Sequence, residues 1–297
     1  MTDGEAEIGE RLRIHVERLA DLIGPRHIGR PSAMEAAAAL IERELSRAGH
    51  AVRRQAYRVR DVEVANLIVE MSGTSPGAGI LVLGAHYDTV EMSPGADDNA
   101  SAVAVMLEVA RLLHGRPFRR TIRFVAFACE EPPHFYTNDM GSQVYAHACR
   151  ERGETILGML CLEMVGYFTD RPGSQQMPSE IPRLLRWAFP RRGTFLAAVG
   201  NLKSWRLARS FRRGFKRAVR LPLYSIVLPE ALNAIRLSDN SSFWDQGYPA
   251  LMLTDTSFLR NPHYHLPTDT PDTLDYPRMA QVTLGIAAAL ARLAGAL

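Results

Sequence analysis

The chain has 297 residues, with 35 Lys plus Arg against 32 Asp plus Glu for a formal net charge of +3, and 46% of it is apolar. Those values belong to a globular protein long enough to bury a core without staples, and they exclude a disordered, collagen-like or disulfide-dense chain. No apolar run is long enough to span a bilayer, the acidic start MTDGEAEIGERLR has no secretory h-region, and Cys129, Cys149 and Cys161 read as free thiols, so the expectations are no membrane span and a cytoplasmic location.

Ile8, Leu12, Ile14, Val16, Leu19 and Leu22 make the apolar stripe of a helix over 8–23, which Pro25 and Gly29 break. Ser32 is the expected cap of a second helix running to about Ala48 and stopped by Gly49. Two strands are expected at 50–59 and 64–71, the first exposed on one face. From residue 80 the pattern changes to continuous apolar runs of the kind buried on both faces: 80–84, 121–128, 157–162 and 250–253. Helices are expected between and after them, at about 99–113, 142–151 and 277–293. Strands alternating with helices argue for an α/β layered fold with a largely parallel central sheet.

Ligand-type side chains gather at the ends of these buried strands. They are His86-Tyr87-Asp88, Asp97-Asp98-Asn99, Glu130-Glu131, Glu163 and, in the last loop, Tyr264-His265. Open α/β sheets bind ligands outside the carboxyl ends of their strands. His86 and Asp88, at i and i+2 of an extended segment, point to one face, so the carboxylate can orient the imidazole while the ring's other nitrogen meets a metal. The first carboxylate of Asp97-Asp98-Asn99 can bridge two cations where a helix begins, although a turn and N-cap is the usual role of such a triplet. Glu130 and Glu131 diverge, so one can ligate while the other shuttles a proton. His265 and Asp269 can repeat the oriented-imidazole arrangement. A mixed His and carboxylate set without thiolate suits a two-cation hydrolytic site better than a closed structural one.

GAHYDTV (84–90), GADDNASAVA (95–104), the Glu-Glu pair after FVAFAC (124–129), LEMVGY (162–167) and PHYHLPTDTPDTL (262–274) together resemble the M28 family of zinc metallopeptidases. The resemblance implies a three-layer α/β/α fold with a mixed, centrally parallel sheet, one peptidase domain over 1–297, and two Zn2+ per chain. It implies Asp97 as the bridge between the two zinc ions, His86 and Glu163 at one, and Glu131 and His265 at the other. Glu130 is then the catalytic base and Asp88 the orienting partner of His86. The family's cis peptide would fall between Asp97 and Asp98. The expected reaction is peptide-bond hydrolysis by an aminopeptidase. The alternatives are a carboxypeptidase or dipeptidase, a glutaminyl-peptide cyclotransferase-like single-zinc enzyme, and a non-catalytic binding protein on the same fold.

Three departures from the family pattern stand out. Glu163 occupies a position where most members have Asp. The Glu pair runs on into PPHFYTNDMGS, longer than the Gly-rich turn of many members. Ser238-Asp239-Asn240 stands where Ser-Asp-His is common, which makes Asp239 a candidate outer partner, as Asp269 is for His265, and Asn240 a candidate substrate contact. Arg260 and Asn261 are further candidates for the pocket wall. Arg260 can hold a substrate carboxylate bidentately or serve as a structural ion pair.

From 191 to 220 there are ten Lys or Arg and no Asp or Glu. This stretch reads as part of a basic helical insertion at about 171–236, with Leu202, Trp205, Leu207, Phe211, Phe215 and Val219 at roughly helical spacing. Such a stretch can attract nucleic acid, anionic lipid or acidic peptides, but a packed amphipathic helix with a solvated basic face is the preferred reading, and no nucleic-acid motif accompanies the charge. Peptide is the expected substrate.

Overall fold

A computed structural model describes residues 2–178 and 190–296. The first helix, α1 (Asp3–Glu17), starts before its apolar stripe because Thr2 and Glu5 cap it reciprocally: each backbone N–H donates to the other's side chain, at 2.7 and 3.2 Å. It passes into a wider turn over Arg18–Ile23. Helix α2 is Pro31–Arg47. Its first residue is Pro31 and its cap position Arg30, so Ser32 lies inside the helix; proline needs no N–H partner in the first turn.

The chain then alternates: β1 (Val52–Val59), β2 (Val62–Met71), β3 (Ile80–His86), α3 (Ala102–Leu113), β4 (Thr121–Phe127), α4 (Gly141–Glu151), β5 (Ile156–Glu163), β6 (Leu196–Asn201), α5 (Trp205–Ala218), β7 (Leu223–Leu228), α6 (Asn240–Asp245), β8 (Ala250–Thr254) and α7 (Tyr276–Ala294). All eight strands join one sheet in the order β1-β2-β4-β3-β5-β8-β6-β7. The pairs β4/β3, β3/β5 and β5/β8 are parallel, whereas β1/β2, β2/β4 and β8/β6 are antiparallel. The sheet is therefore mixed with a parallel centre. One apolar cluster joins its first face to α1, α2, α3, α5 and α7, and a second joins its other face to α4 and α6, which gives three layers.

Beyond the expected helix, the basic region contributes two strands. Parallel β6 and β7 flank α5 and extend the sheet at one edge. Neither forms a long apolar run: β7 is only partly buried along its length, and β6, though buried, is the short segment LAAVGN. Helix α5 lies against α7 at close range: a Cβ on Gly214 would fall 2.6 Å from the Ala289 Cα, and one on Gly285 would fall 2.4 Å from the Phe215 ring. Residues 179–189, within the expected insertion, lie outside the described residues. Cys129, Cys149 and Cys161 are buried and unpaired. Among the described residues no helix is long and apolar enough to cross a membrane.

Candidate active site

The four central parallel strands end side by side, and each end delivers part of the cluster. His86 closes β3, Glu130 and Glu131 follow β4, Glu163 closes β5, and His265 lies in the loop after β8. Asp98 enters from the turn before α3. Its carboxylate lies between the two imidazoles, with Oδ1 3.4 Å from His86 Nε2 and Oδ2 3.1 Å from His265 Nε2. Glu163 Oε2 is 3.4 Å and Glu130 Oε2 3.8 Å from His86 Nε2, while Glu131 Oε2 is 3.2 Å from His265 Nε2. Two overlapping sets, His86/Glu130/Glu163 and His86/Asp98/Glu131, bring one ligand atom per residue within 4.8 Å of each other. His265 forms the open side, its side chain 28% exposed and stacked on Tyr264 at 3.8 Å between ring centroids.

Two buried carboxylates hold the ligand-bearing turns by their backbone. Asp88 Oδ1 accepts the Glu130 N–H at 3.0 Å and Oδ2 accepts the Glu131 N–H at 3.1 Å. Asp269 does the same for the other turn, with Oδ1 on the Asp97 N–H at 2.9 Å and Oδ2 on the Asp98 N–H at 3.1 Å. Asn99 ties that turn to the end of β5, donating to the Leu162 carbonyl and accepting from the Met164 N–H. Ser238 Oγ donates to Glu163 Oε2 at 2.5 Å. Beneath the cluster, the fully buried Arg26 donates only to backbone carbonyls, among them those of Tyr87 (2.6 Å), Pro94 (2.7 Å) and Gly95 (2.9 Å). Gly95 is needed there: it has φ +63°, and a Cβ would fall 2.3 Å from the Asp98 carbonyl oxygen.

This density of buried carboxylates moves protons. Burial pushes the Glu130 carboxyl well above its usual range; nearby His86 opposes the shift, and Glu163, Glu131 and Asp239 reinforce it. Burial, with the Asp98 charge, raises Glu131 to about 8. Burial would lower His265, but hydrogen bonds with Asp98 and Glu131 outweigh it and raise the ring to about 10. Burial would raise Asp98, yet its contacts with His265 and His86 hold it well below the usual carboxylate range. Carboxylates outnumber cations in the cluster, and both imidazoles are drawn toward their protonated forms, His86 by Glu130 and Glu163 against the effect of burial. Several buried polar atoms also have no hydrogen-bond partner: both ring nitrogens of His86, Asp98 Oδ1 and Glu131 Oε1. Uncompensated carboxylates beside unpartnered imidazole nitrogens fit divalent cations with N/O ligands.

Several expected placements need correction. Asp97 does not span the two imidazoles; Asp98 does. Asp97 is turned into the protein, where its Oδ1 accepts from the Gly166 N–H at 2.9 Å and its Oδ2 from Asn261 Nδ2 at 2.7 Å. The cis peptide lies between Asp98 and Asn99, with a second between Pro132 and Pro133. Asp269 does not orient His265, because both its oxygens are taken by the 97–98 backbone. Asp88 faces His86 Nδ1 only at 3.5 Å, its oxygens being engaged by the Glu pair. Of the expected substrate contacts, Asn261 is tied to Asp97, and Arg260 lies 4.5 Å from the centre of the Phe195 ring with its Nε on Gln175. Asn240 is fully buried and donates to the Ile235 carbonyl. None of the three faces an open cleft. Asp239 is buried with both oxygens unpartnered.

Asp98, Ser238, Asn99 and Arg26 are the site residues that the sequence reading did not assign. In a turn entering a helix, spacing cannot say which of two adjacent carboxylates points outward. A signal for Arg26 did exist: so many carboxylates at the ends of the central strands call for a buried cation nearby.

Residues 66–290 match the family model of peptidase family M28. The chain belongs to peptidase family M28. It is a hydrolase of the metallopeptidase kind. The Escherichia coli K12 protein YfbL is 36% identical over 93% of this chain and 86% of its own length. Leucine aminopeptidase 1 of Trichophyton equinum is 27% identical over 80% of this chain, which spans 62% of that protein. Among solved structures, BSAP, a zinc aminopeptidase from Bacillus subtilis, shares the fold with a TM-score of 0.75 at 17% identity, over 97% of this chain and 95% of that one. Glutaminyl cyclase from Porphyromonas gingivalis shares it with a TM-score of 0.69 at 18% identity, over 96% and 98%. This M28 chain carries Glu at position 163, and its carboxylate reaches the cluster from the end of β5 with the Ser238 hydroxyl on it.

Proposed function

We propose that this protein is a zinc-dependent aminopeptidase with two zinc positions. The observation that carries the reading is the Asp98 carboxylate between His86 and His265, one oxygen toward each. In this reading His86, Glu163 and Asp98 hold one zinc, and Glu131, His265 and Asp98 hold the other. Bound zinc would lower the pKa of a water and polarise the scissile carbonyl.

The protein's own groups do the rest. Glu130 is the general base: it takes a proton from the attacking water and delivers it to the leaving amine. Its carboxyl, pushed above the usual range by burial, suits a group that must both accept and release a proton. Asp88 fixes the backbone of Glu130 and Glu131, so the base and a ligand keep their separation. Asp269 does the same for Asp98. Tyr264, stacked on His265, limits that ring's rotation on the open side.

A cyclotransferase reading has the glutaminyl cyclase fold in its favour. The second imidazole-carboxylate position, His265 with Glu131, supports hydrolysis instead. The test is a digest of three peptide sets by the zinc-loaded protein: free-amine, N-acetylated and N-terminal-glutamine peptides, with zinc counted on the same sample. The expected result is stepwise loss of N-terminal residues from free-amine peptides alone. Removal of C-terminal residues would establish the carboxypeptidase alternative, and pyroglutamate formation with one zinc per chain would establish the cyclotransferase.

A further inference from the structure

Helix α5 buries Leu207, Ala208, Phe211, Gly214 and Phe215 against the protein. Its outward face carries Arg206, Arg209, Arg212, Arg213, Lys216 and Arg217, all exposed. A cleft of about 370 Å³ on this face is lined by Arg209, Arg212, Arg213, Lys216 and Arg217 and by no other residue. Among the described residues, none of these five has an ion-pair or hydrogen-bond partner, although arginines elsewhere in the chain are commonly paired with carboxylates, as Arg54 is with Glu35 and Glu42. Like charges three or four residues apart on a helix, here Arg209/Arg213, Arg212/Lys216 and Arg213/Arg217, oppose its formation. The packed apolar face overcomes this repulsion but does not account for a cation-only outer face.

Apolar residues stand at the start of this face. Leu202, just before α5, is 60% exposed, and Trp205, its first residue, is 48% exposed. Arg206 lies 5.3 Å from the Trp205 ring centre. Trp205 and Leu202 beside a row of cations match the two layers of an anionic bilayer surface: phosphate charge outside, acyl boundary just beneath. A nucleic acid would use the cations and the aromatic ring but has no partner for Leu202.

We propose that the outer face of α5 docks on membranes rich in anionic phospholipid, with Leu202 and Trp205 dipping into the headgroup boundary. The helix lies over β6 and β7, the edge of the sheet, whereas the His86 and Glu163 cluster opens at its centre, so docking leaves the site accessible to peptides. The partner is recognised by its lipid phosphates.

The test is flotation of the full chain with vesicles of phosphatidylcholine alone or with about a third phosphatidylglycerol. The account expects partition onto the anionic vesicles only, weakening as salt rises. A triple R209Q/R213Q/R217Q variant should lose about a hundredfold in partition, since each cation contributes about fivefold at such a surface. L202A/W205A should lose the part of binding that survives high salt. Thermal midpoints of both variants report that they are folded. Absence of partition onto anionic vesicles, equal partition by the triple variant, or tighter binding of duplex DNA than of vesicles would each overturn the proposal. The assay reads no hydrolysis, so it stands or falls apart from the peptidase reading.

Discussion

Asp269 holds Asp98 by its backbone: the Asp269 Oδ2 atom accepts the Asp98 N–H at 3.1 Å, across 171 residues of chain. Its Oδ1 takes the neighbouring Asp97 N–H, so both oxygens of one buried carboxylate fix the turn that aims Asp98 between the imidazoles. Asp88 serves the Glu130–Glu131 turn in the same way. Asp269→Asn replaces one acceptor with a donor that faces a backbone N–H. It should lower stability by about 1–3 kcal/mol in urea unfolding. It should also weaken zinc binding by about 10–100-fold in chelator competition, even at temperatures where the fold is intact.

The neighbouring carboxylates Asp97 and Asp98 should separate cleanly. Asp98→Asn is expected to leave at most one zinc per chain. Its metal-free form should also be less stable than the parent at neutral pH, because the Asp98 carboxylate, held well below the usual range by His265 and His86, is a stabilising charge in this cluster. Asp97→Asn should keep both zinc ions while destabilising the fold by about 1–3 kcal/mol, because Asp97 accepts two hydrogen bonds inside the protein. Metal content and thermal unfolding of the two variants, measured side by side, check this.

The order of strands and helices was legible in the sequence because buried parallel strands are rich in apolar residues, as Ile80–His86 is up to its last residue and Thr121–Phe127 is apart from Thr121 and Arg123. The cluster was legible because its ligands sit at the ends of those strands. Three features were not. The choice between Asp97 and Asp98 depends on a turn whose geometry is set by Asp269, far away in sequence. Strand β7 lies at the sheet edge, where burial is partial, and the buried β6 (LAAVGN) is a short run of mostly small residues, so the apolar signal of both is weak. Arg260 and Asn261 look like pocket residues by sequence position, yet their partners Gln175 and Asp97 turn them inward.

Arg26 is a buried cation whose guanidinium donates to carbonyls of the segments around Tyr87 and Gly95. Burial lowers it to about 10, with Asp88, Asp269, Asp98 and Glu131 acting in the opposite sense. Arg26→Met would leave several carbonyls unpaired and remove the charge facing those acids. A loss of about 3–5 kcal/mol in denaturant unfolding is expected. Arg26→Lys should recover part of it, because the charge remains while the fork of donors is lost.

In the metal-free protein His265 holds its proton to about pH 10, above its ordinary value of 6.5, because Asp98 and Glu131 outweigh the effect of burial. A raised folded-state pKa means that this stabilisation is full below about pH 6.5 and disappears as pH rises through about 10. Zinc must displace that proton, so apparent zinc affinity should increase with pH across this window. Zinc titrations at several pH values, paired with thermal unfolding of the chelated protein, should show affinity rising while metal-free stability falls. Affinity independent of pH would contradict the assignment of His265.

The measurement that tests the account most directly is zinc content and peptide hydrolysis on one preparation of Glu130→Gln. The account predicts two zinc per chain, as in the parent, with kcat reduced by about 10²–10⁴-fold and KM little changed. An unchanged rate, or the loss of zinc together with activity, would contradict the role of Glu130 as the proton-transferring base.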